Sequence, residues 1–194
     1  MGTRHQHGFT LIEALIAMAV LAILMTSGMP MYTQWIQNSQ IRTAADSINN
    51  GLQVARNEAV RRNQPVRFSL TNAGDTAWQV CVWDVVNDVC LATEQIIQSR
   101  NGTEGAQNAQ IGGETVDGGD YSVALAPGAN LPGSITFNAF GRASNPGTDL
   151  RRIDVRNTLV SAADERRLVI IVSLGGQVRM CDPKHNRATN AQGC

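Results

Sequence analysis

Gly8-Phe9-Thr10-Leu11-Ile12-Glu13 opens an almost wholly apolar run, residues 14–30, and the reading of this stretch decides the rest of the chain. A polar leader with Arg4, His5 and His7 precedes Phe9. A cleaved secretory signal would end its apolar core in a small-x-small site. Here the run closes on Met25-Thr26-Ser27-Gly28-Met29-Pro30, a poor match, and the carboxylate of Glu13 is foreign to such a core. As a helix, residues 9–29 would rise about 30 Å, enough to cross a bilayer core. Glu13 then needs a reason, because a carboxylate at membrane depth costs on the order of 3 kcal/mol and usually has a partner. Cleavage after Gly8 would supply one. The new α-amine of Phe9 would lie one helical turn from Glu13, since positions i and i+4 share a face. The amine of a neighbouring copy would serve equally, which makes Glu13 an assembly device rather than a tolerated charge.

Bulk composition bounds the remainder of the chain. A length of 194 residues holds one good globular domain and one long extra element. Sixteen basic residues balance sixteen acidic ones, so the whole molecule has no net attraction for nucleic acid or anionic lipid. Aromatic content of 5% and 18 glycines suit a turn-rich β domain with a modest core. Cys81, Cys90, Cys181 and Cys194 all lie downstream of the membrane-targeting segment, which favours disulfides in an oxidising compartment over metal ligation. Four cysteines allow three connectivities. Cys81–Cys90 and Cys181–Cys194 are preferred because each closes a short loop.

Beyond Pro30 the chain stays helical but turns amphipathic. Ala45, Ile48, Leu52, Ala55 and Ala59 recur at helical spacing and define one apolar face, with Arg42, Asp46, Arg56, Glu58, Arg61 and Arg62 between them. The helix is expected to stop at Asn63 or before Pro65. From Pro65 onward short strands and turns take over. Residues 66–70, 78–83, 89–91, 134–137, 152–155, 168–172 and 177–181 read as strands, and the unbroken apolar run at 168–172 reads as a central one. Residues 101–119, rich in Gly, Asn, Gln and Thr, read as a long exposed loop. The fold class is α+β: a long N-terminal helix, first transmembrane and then amphipathic, packed on an antiparallel β head.

Reactive chemistry is poorly represented. Past the leader the one histidine is His185, beside Asp182 and Lys184 in a polar tail, and no nucleophile-elbow turn is present. Neither cysteine pair has C-x-x-C spacing, and no histidine lies near Cys81 or Cys90. The paired glycines at 118–119 and 175–176 lack the strand-to-helix context of a phosphate loop. No catalytic residue, metal or cofactor is assigned.

The segment Gly8-Phe9-Thr10-Leu11-Ile12-Glu13 resembles the type IV prepilin signature, and Pro30 stands where such proteins often carry a helix-kinking proline. Three further stretches narrow the resemblance to the GspH/FimT family of minor pilins and pseudopilins. They are Gln53-Val54-Ala55-Arg56-Asn57-Glu58-Ala59, Ile135-Thr136-Phe137 with Phe140-Gly141-Arg142-Ala143, and Gly176-Gln177-Val178-Arg179-Met180-Cys181-Asp182-Pro183. The resemblance implies an α-helical spine with a β-sandwich head. It implies a leader, residues 1–8, cut between Gly8 and Phe9 by a prepilin peptidase, and N-methylation of Phe9. Residues 9–31 would be the transmembrane and filament-core helix, 32–63 the part packing on the head, and 64–194 a periplasmic head. Glu13 would guide assembly with other minor and major pilins. The chain would be an inner-membrane, single-pass protein that later joins a pilus fibre, where it helps initiate or cap assembly.

Two alternatives share this front end. One is a minor pseudopilin of a type II secretion system. The other is a pilus-borne DNA receptor, which the resemblance attaches to a C-terminal Gly-Arg-x-Arg motif. Here the matching positions are Gly176-Gln177-Val178-Arg179, with glutamine in place of one arginine. Arg179, Lys184 and Arg187 are the DNA candidates, with Arg151, Arg152, Arg166 and Arg167 expected to join them in space.

Overall fold

The computed structural model describes residues 9–90, 96–116, 119–145 and 147–194, the side chains of residues 27–30 excepted. Gly8, the rest of the leader and the Pro30 side chain therefore lie outside the described residues. The chain divides into two compact units, Met1–Ile36 and Gln37–Cys194. One helix, α1 (Leu11–Arg62), contributes to both.

In the second unit α1 is the spine of the core. Ile41, Ala44, Ala45, Ile48, Leu52, Ala55 and Ala59 are all completely buried, a stripe at spacings of three and four. Gly51 sits in the middle of this stripe, where glycine costs a helix about 1 kcal/mol relative to alanine. Its reason is steric: a β-carbon there would stand 2.7 Å from the Phe68 ring and 3.1 Å from Trp78. Those two rings pack with centroids 5.6 Å apart against the gap. The helix ends where the sequence places the stop. Asn63 takes the left-handed conformation (φ 53°). Gln64 N–H donates to the Ala59 carbonyl and Asn63 N–H to that of Val60. This is the Schellman pattern, with Pro65 beyond it to prevent continuation.

Among the described residues nine strands come after the helix, all paired antiparallel, in two sheets. The first sheet is built on β1 (Val66–Leu70), flanked by β2 (Trp78–Asp84) and β6 (Gly133–Phe137); the outer edge of β2 is shared by β3 (Val89–Cys90) and β4 (Ile96–Arg100). Burial alternates cleanly along β1, where Val66, Phe68 and Leu70 face the core and Arg67 and Ser69 do not. The second sheet runs β5 (Gln110–Glu114), β7 (Arg152–Arg156), β8 (Leu168–Val172), β9 (Val178–Cys181). Ile111, Ile153, Val155, Ile170 and Val172 from this sheet join Phe68, Ile135 and Phe137 from the first and the α1 stripe in one cluster. The apolar run of β8 is central, and both of its faces are covered. Ile170 and Val172 enter the main core, while Val169 and Ile171 pack with Cys181, Tyr121 and Cys194 on the other side.

Residues 101–119 depart from the exposed loop expected of them. Residues 110–114 form β5, paired with β7 from Gln110↔Arg156 to Glu114↔Arg152. Ala106, Ala109 and Ile111 are buried, and Asn108 is tied to Gln37 and Gln40 of α1. Gln-Ile-Gly-Gly-Glu carries one large apolar residue, so its strand pattern is faint. The two glycines are there for close approach. A β-carbon on Gly112 would meet the Ala126 carbonyl oxygen at 2.5 Å, and one on Gly113 the Leu150 side chain at 2.8 Å. Strand β4 also carries no expectation from the sequence.

Candidate assembly segment and the surfaces of the head

The helix begins at Leu11, two residues later than the sequence pattern implies, because Thr10 caps it. The Glu13 N–H donates to the Thr10 hydroxyl oxygen (3.3 Å), and the Ala14 N–H donates to the Thr10 carbonyl (3.2 Å). Thr10-x-x-Glu13 thus has the spacing of a capping box. An acidic residue in the first turn also suits the positive end of the helix dipole. Phe9 stands outside the helix and is 87% exposed. From Leu11 through Met25 every large apolar side chain is exposed, Leu11 at 80% and Ile23 at 66% among them. The most apolar stretch of the helix has none of its residues buried. It is long and apolar enough to cross a membrane, and Glu13 is its one carboxylate.

Three stretches singled out separately in the sequence meet at one point of the head. The Arg56 Nε of α1 donates to the Gly141 carbonyl at 3.2 Å. Gly141 has φ 70° and lies against Val60 and Arg56. Gly176, with φ 78°, packs directly on the Gly141 carbonyl. Helix, β6 turn and β8–β9 turn are thereby locked together, so at this point the motifs build the fold.

A second cluster is ionic and buried. Asp154 is fully buried on β7 and pairs with Arg152 Nε at 2.7 Å and with Arg167. Arg152 and Arg167 also donate to the carbonyls of Asp120, Tyr121, Ser122 and Val123. The Leu125 N–H donates back to Asp154 at 3.0 Å. The cluster straps residues 120–125 over the outer face of the second sheet. Arg151, only 4% exposed, donates Nε to the Val172 carbonyl at 2.6 Å. This corrects the expectation that these arginines join a phosphate-binding tail. Arg151, Arg152 and Arg167 are committed inside the head, and of that set Arg166 alone is exposed.

In the tail, Arg179 Nη1 donates to the Gly193 carbonyl, and Lys184 Nζ to that of Ala163. Arg187 is exposed. His185 is half exposed, with Nε2 3.9 Å from Asp182 Oδ2. Among the described residues no group of His, Cys, Asp and Glu is arranged to hold a metal ion. Disulfides join Cys81 to Cys90 and Cys181 to Cys194. The Thr10 cap carries no expectation from the sequence, although its Thr-x-x-Glu spacing is legible. Nor does the Asp154 cluster, whose trace is a charge alternation, Arg-Ile-Asp, inside a strand.

An apolar helical segment with one carboxylate near its start, and a small antiparallel head built on the rest of that helix, have the architecture of pilin-like proteins. Two crystal structures of the type IV minor pilin FimU of Pseudomonas aeruginosa are similar in fold. The form in space group P21 matches with TM-score 0.50 and 17% identity, over 72% of this chain and 87% of that one. The P65 form gives 0.47 and 17%, over 72% and 90%. No curated protein sequence matches the chain. A family described as Type II transport protein GspH matches residues 44–176, and a prokaryotic N-terminal methylation motif matches residues 3–29. The chain belongs to the GspH family.

Proposed function

We propose that the chain is a minor type IV pilin, a structural subunit that helps initiate or cap the fibre. The observation that carries this reading is the unburied apolar segment of α1 with Glu13 in its first turn. Residues 1–8 are cut away by the prepilin peptidase between Gly8 and Phe9, and Phe9 is N-methylated. The helix then waits in the inner membrane with the head in the periplasm. Lipid gives apolar helices little reason to associate, so packing and the pairing of Glu13 with a Phe9 amine select the fibre over the bilayer. Glu13→Ala should leave insertion and leader cleavage intact but remove the protein from sheared fibres. Recovery of the variant in sheared pili at the normal level would overturn the role.

A second reading is a minor pseudopilin of a type II secretion system, favoured by the description of the matching family. Loss of protein secretion with pili unaffected, on deletion of the gene, would select it. For a DNA receptor the support is thin, since three of the seven arginines and lysines assembled for it are buried.

A further inference from the structure

Between Glu13 and Arg42 no residue of the chain is charged. Lysines and arginines commonly mark where a membrane helix leaves the bilayer, and residues 31–41 have none. Two aromatic rings stand there instead. Tyr32 and Trp35, three positions apart and so on one face of α1, stack with centroids 6.3 Å apart and planes 28° from parallel. They are 63% and 66% exposed. Among the described residues neither the Tyr32 hydroxyl nor the Trp35 Nε1–H has a hydrogen-bond partner. The wholly apolar run 14–25 precedes the pair, while Gln34, Gln37, Asn38, Ser39 and Gln40 lie around and beyond it.

A large ring with one polar edge suits neither hydrocarbon nor water. In hydrocarbon the hydroxyl and the indole N–H would go unpaired. In water both ring faces would stay uncovered. The headgroup layer of a phospholipid bilayer meets both demands, because the rings lie among the upper acyl carbons while their polar edges donate to lipid oxygens. Against a neighbouring helix the two polar edges would have to find partners on that helix, which makes it the poorer occupant of this face.

We propose that Tyr32 and Trp35 form an interfacial anchor for phospholipid headgroups that fixes the depth of α1 in the membrane, and with it the position of Glu13. The proposal rests on the reading of residues 9–31 as a transmembrane helix. At about 1.5 Å per residue the helix rises about 28 Å from Glu13 to Tyr32 and about 33 Å to Trp35. A hydrocarbon core is about 30 Å thick. Rings held at one boundary therefore keep Glu13 at the other, within reach of water and headgroups. Its charge becomes costly only when the helix is drawn toward the ring side, as it is on leaving the lipid for a fibre. Aliphatic side chains alone would not set this depth, since an apolar helix tilts or shifts at small cost.

The test uses the full-length chain in vesicles of phosphatidylcholine and phosphatidylglycerol whose acyl chains carry bromine either close to the headgroup or close to the bilayer centre. Bromine quenches indole fluorescence on contact. Trp78 and Trp83 belong to β2, so Trp35→Phe gives their share and the difference is the signal of Trp35. Quenching of that difference should be about twofold stronger with shallow than with deep bromine. Tyr32→Leu with Trp35→Leu keeps the helix apolar and removes both polar edges. In this variant, protection of backbone amides from deuterium exchange should extend about one turn further toward Gln40. Exchanging the rings, Tyr32→Trp with Trp35→Tyr, should leave the protected stretch as in the wild type. Strongest quenching from the bilayer centre overturns the anchor, and so does a protected stretch that the leucine pair does not move. Absence of quenching from either lipid, as when a neighbouring helix covers the rings, overturns it as well. Failure of the chain to enter the vesicles at all would instead overturn the transmembrane reading, so the two failures are distinguishable.

Discussion

Gly176 rests on Gly141 so closely that a β-carbon at position 176 would overlap the Gly141 carbonyl oxygen. Both residues also have positive φ, 78° and 70°. Gly176→Ala therefore forces a backbone shift and a disfavoured conformation together, at a cost of about 2–4 kcal/mol. Gly175→Ala is the control, because its β-carbon would meet only the Ser173 hydroxyl at 3.7 Å. A thermal melt that lowers the midpoint for the first and leaves the second near wild type is the expected outcome. Equal midpoints would show that the turn yields freely.

Asp154 is the single carboxylate shared by Arg152 and Arg167 inside the head. Asp154→Asn leaves the buried Arg167 guanidinium short of an anion and Arg152 with Glu114, at 3.5 Å, in place of two carboxylates, and should cost roughly 3 kcal/mol. Limited proteolysis should then cut within residues 120–125, which the cluster holds down. Asp46→Asn, which breaks the exposed pair with Arg42, should change stability by no more than about 0.5 kcal/mol.

Glu58 near the end of α1 accepts hydrogen bonds from Arg61 and Arg62, which pull its carboxyl down to about 2. A carboxyl lowered on folding stabilises the folded state fully above its unfolded value, near 4.5. That contribution is lost as pH falls from there through about 2. The gap between wild type and Glu58→Gln in thermal midpoint should thus be widest at neutral pH and vanish on acidification through this window. A gap that persists at the acid end would assign the effect to packing instead. Since these arginines are largely exposed, the effect stays below about 1 kcal/mol.

Gly8→Glu should leave the leader attached, seen by mass spectrometry as a precursor heavier than the mature chain. A mature mass for this variant would move the processing site elsewhere. Because the Thr10 cap lies wholly on the mature side of Gly8, α1 should retain its starting turn in either form.

Legibility in the sequence tracks strength of pattern. The α1 stripe, the stop at Asn63, β1, β2 and β8 all carry strong periodicity or dense apolar runs, because each buries a full face against the core. Strand β5 was illegible because its two glycines serve close approach to Ala126 and Leu150, and glycine reads as loop when the partner is unseen. The arginines at 151, 152 and 167 misled for a related reason. Charge in a sequence reads as surface, yet Asp154 and backbone carbonyls satisfy these groups inside.

The strap held by Asp154 has a consequence for environments of changing salinity. Ions in solution screen exposed charges over about 8–10 Å at ordinary ionic strength but reach buried pairs poorly. Arg152, Asp154 and Arg167 are shut away from those ions, whereas Arg42, Arg166 and Asp88 face them. Brine should accordingly loosen exposed pairs such as Arg42 with Asp46 while the head keeps its shape, so that ionic strength acts on the charged surface without setting how the head is folded.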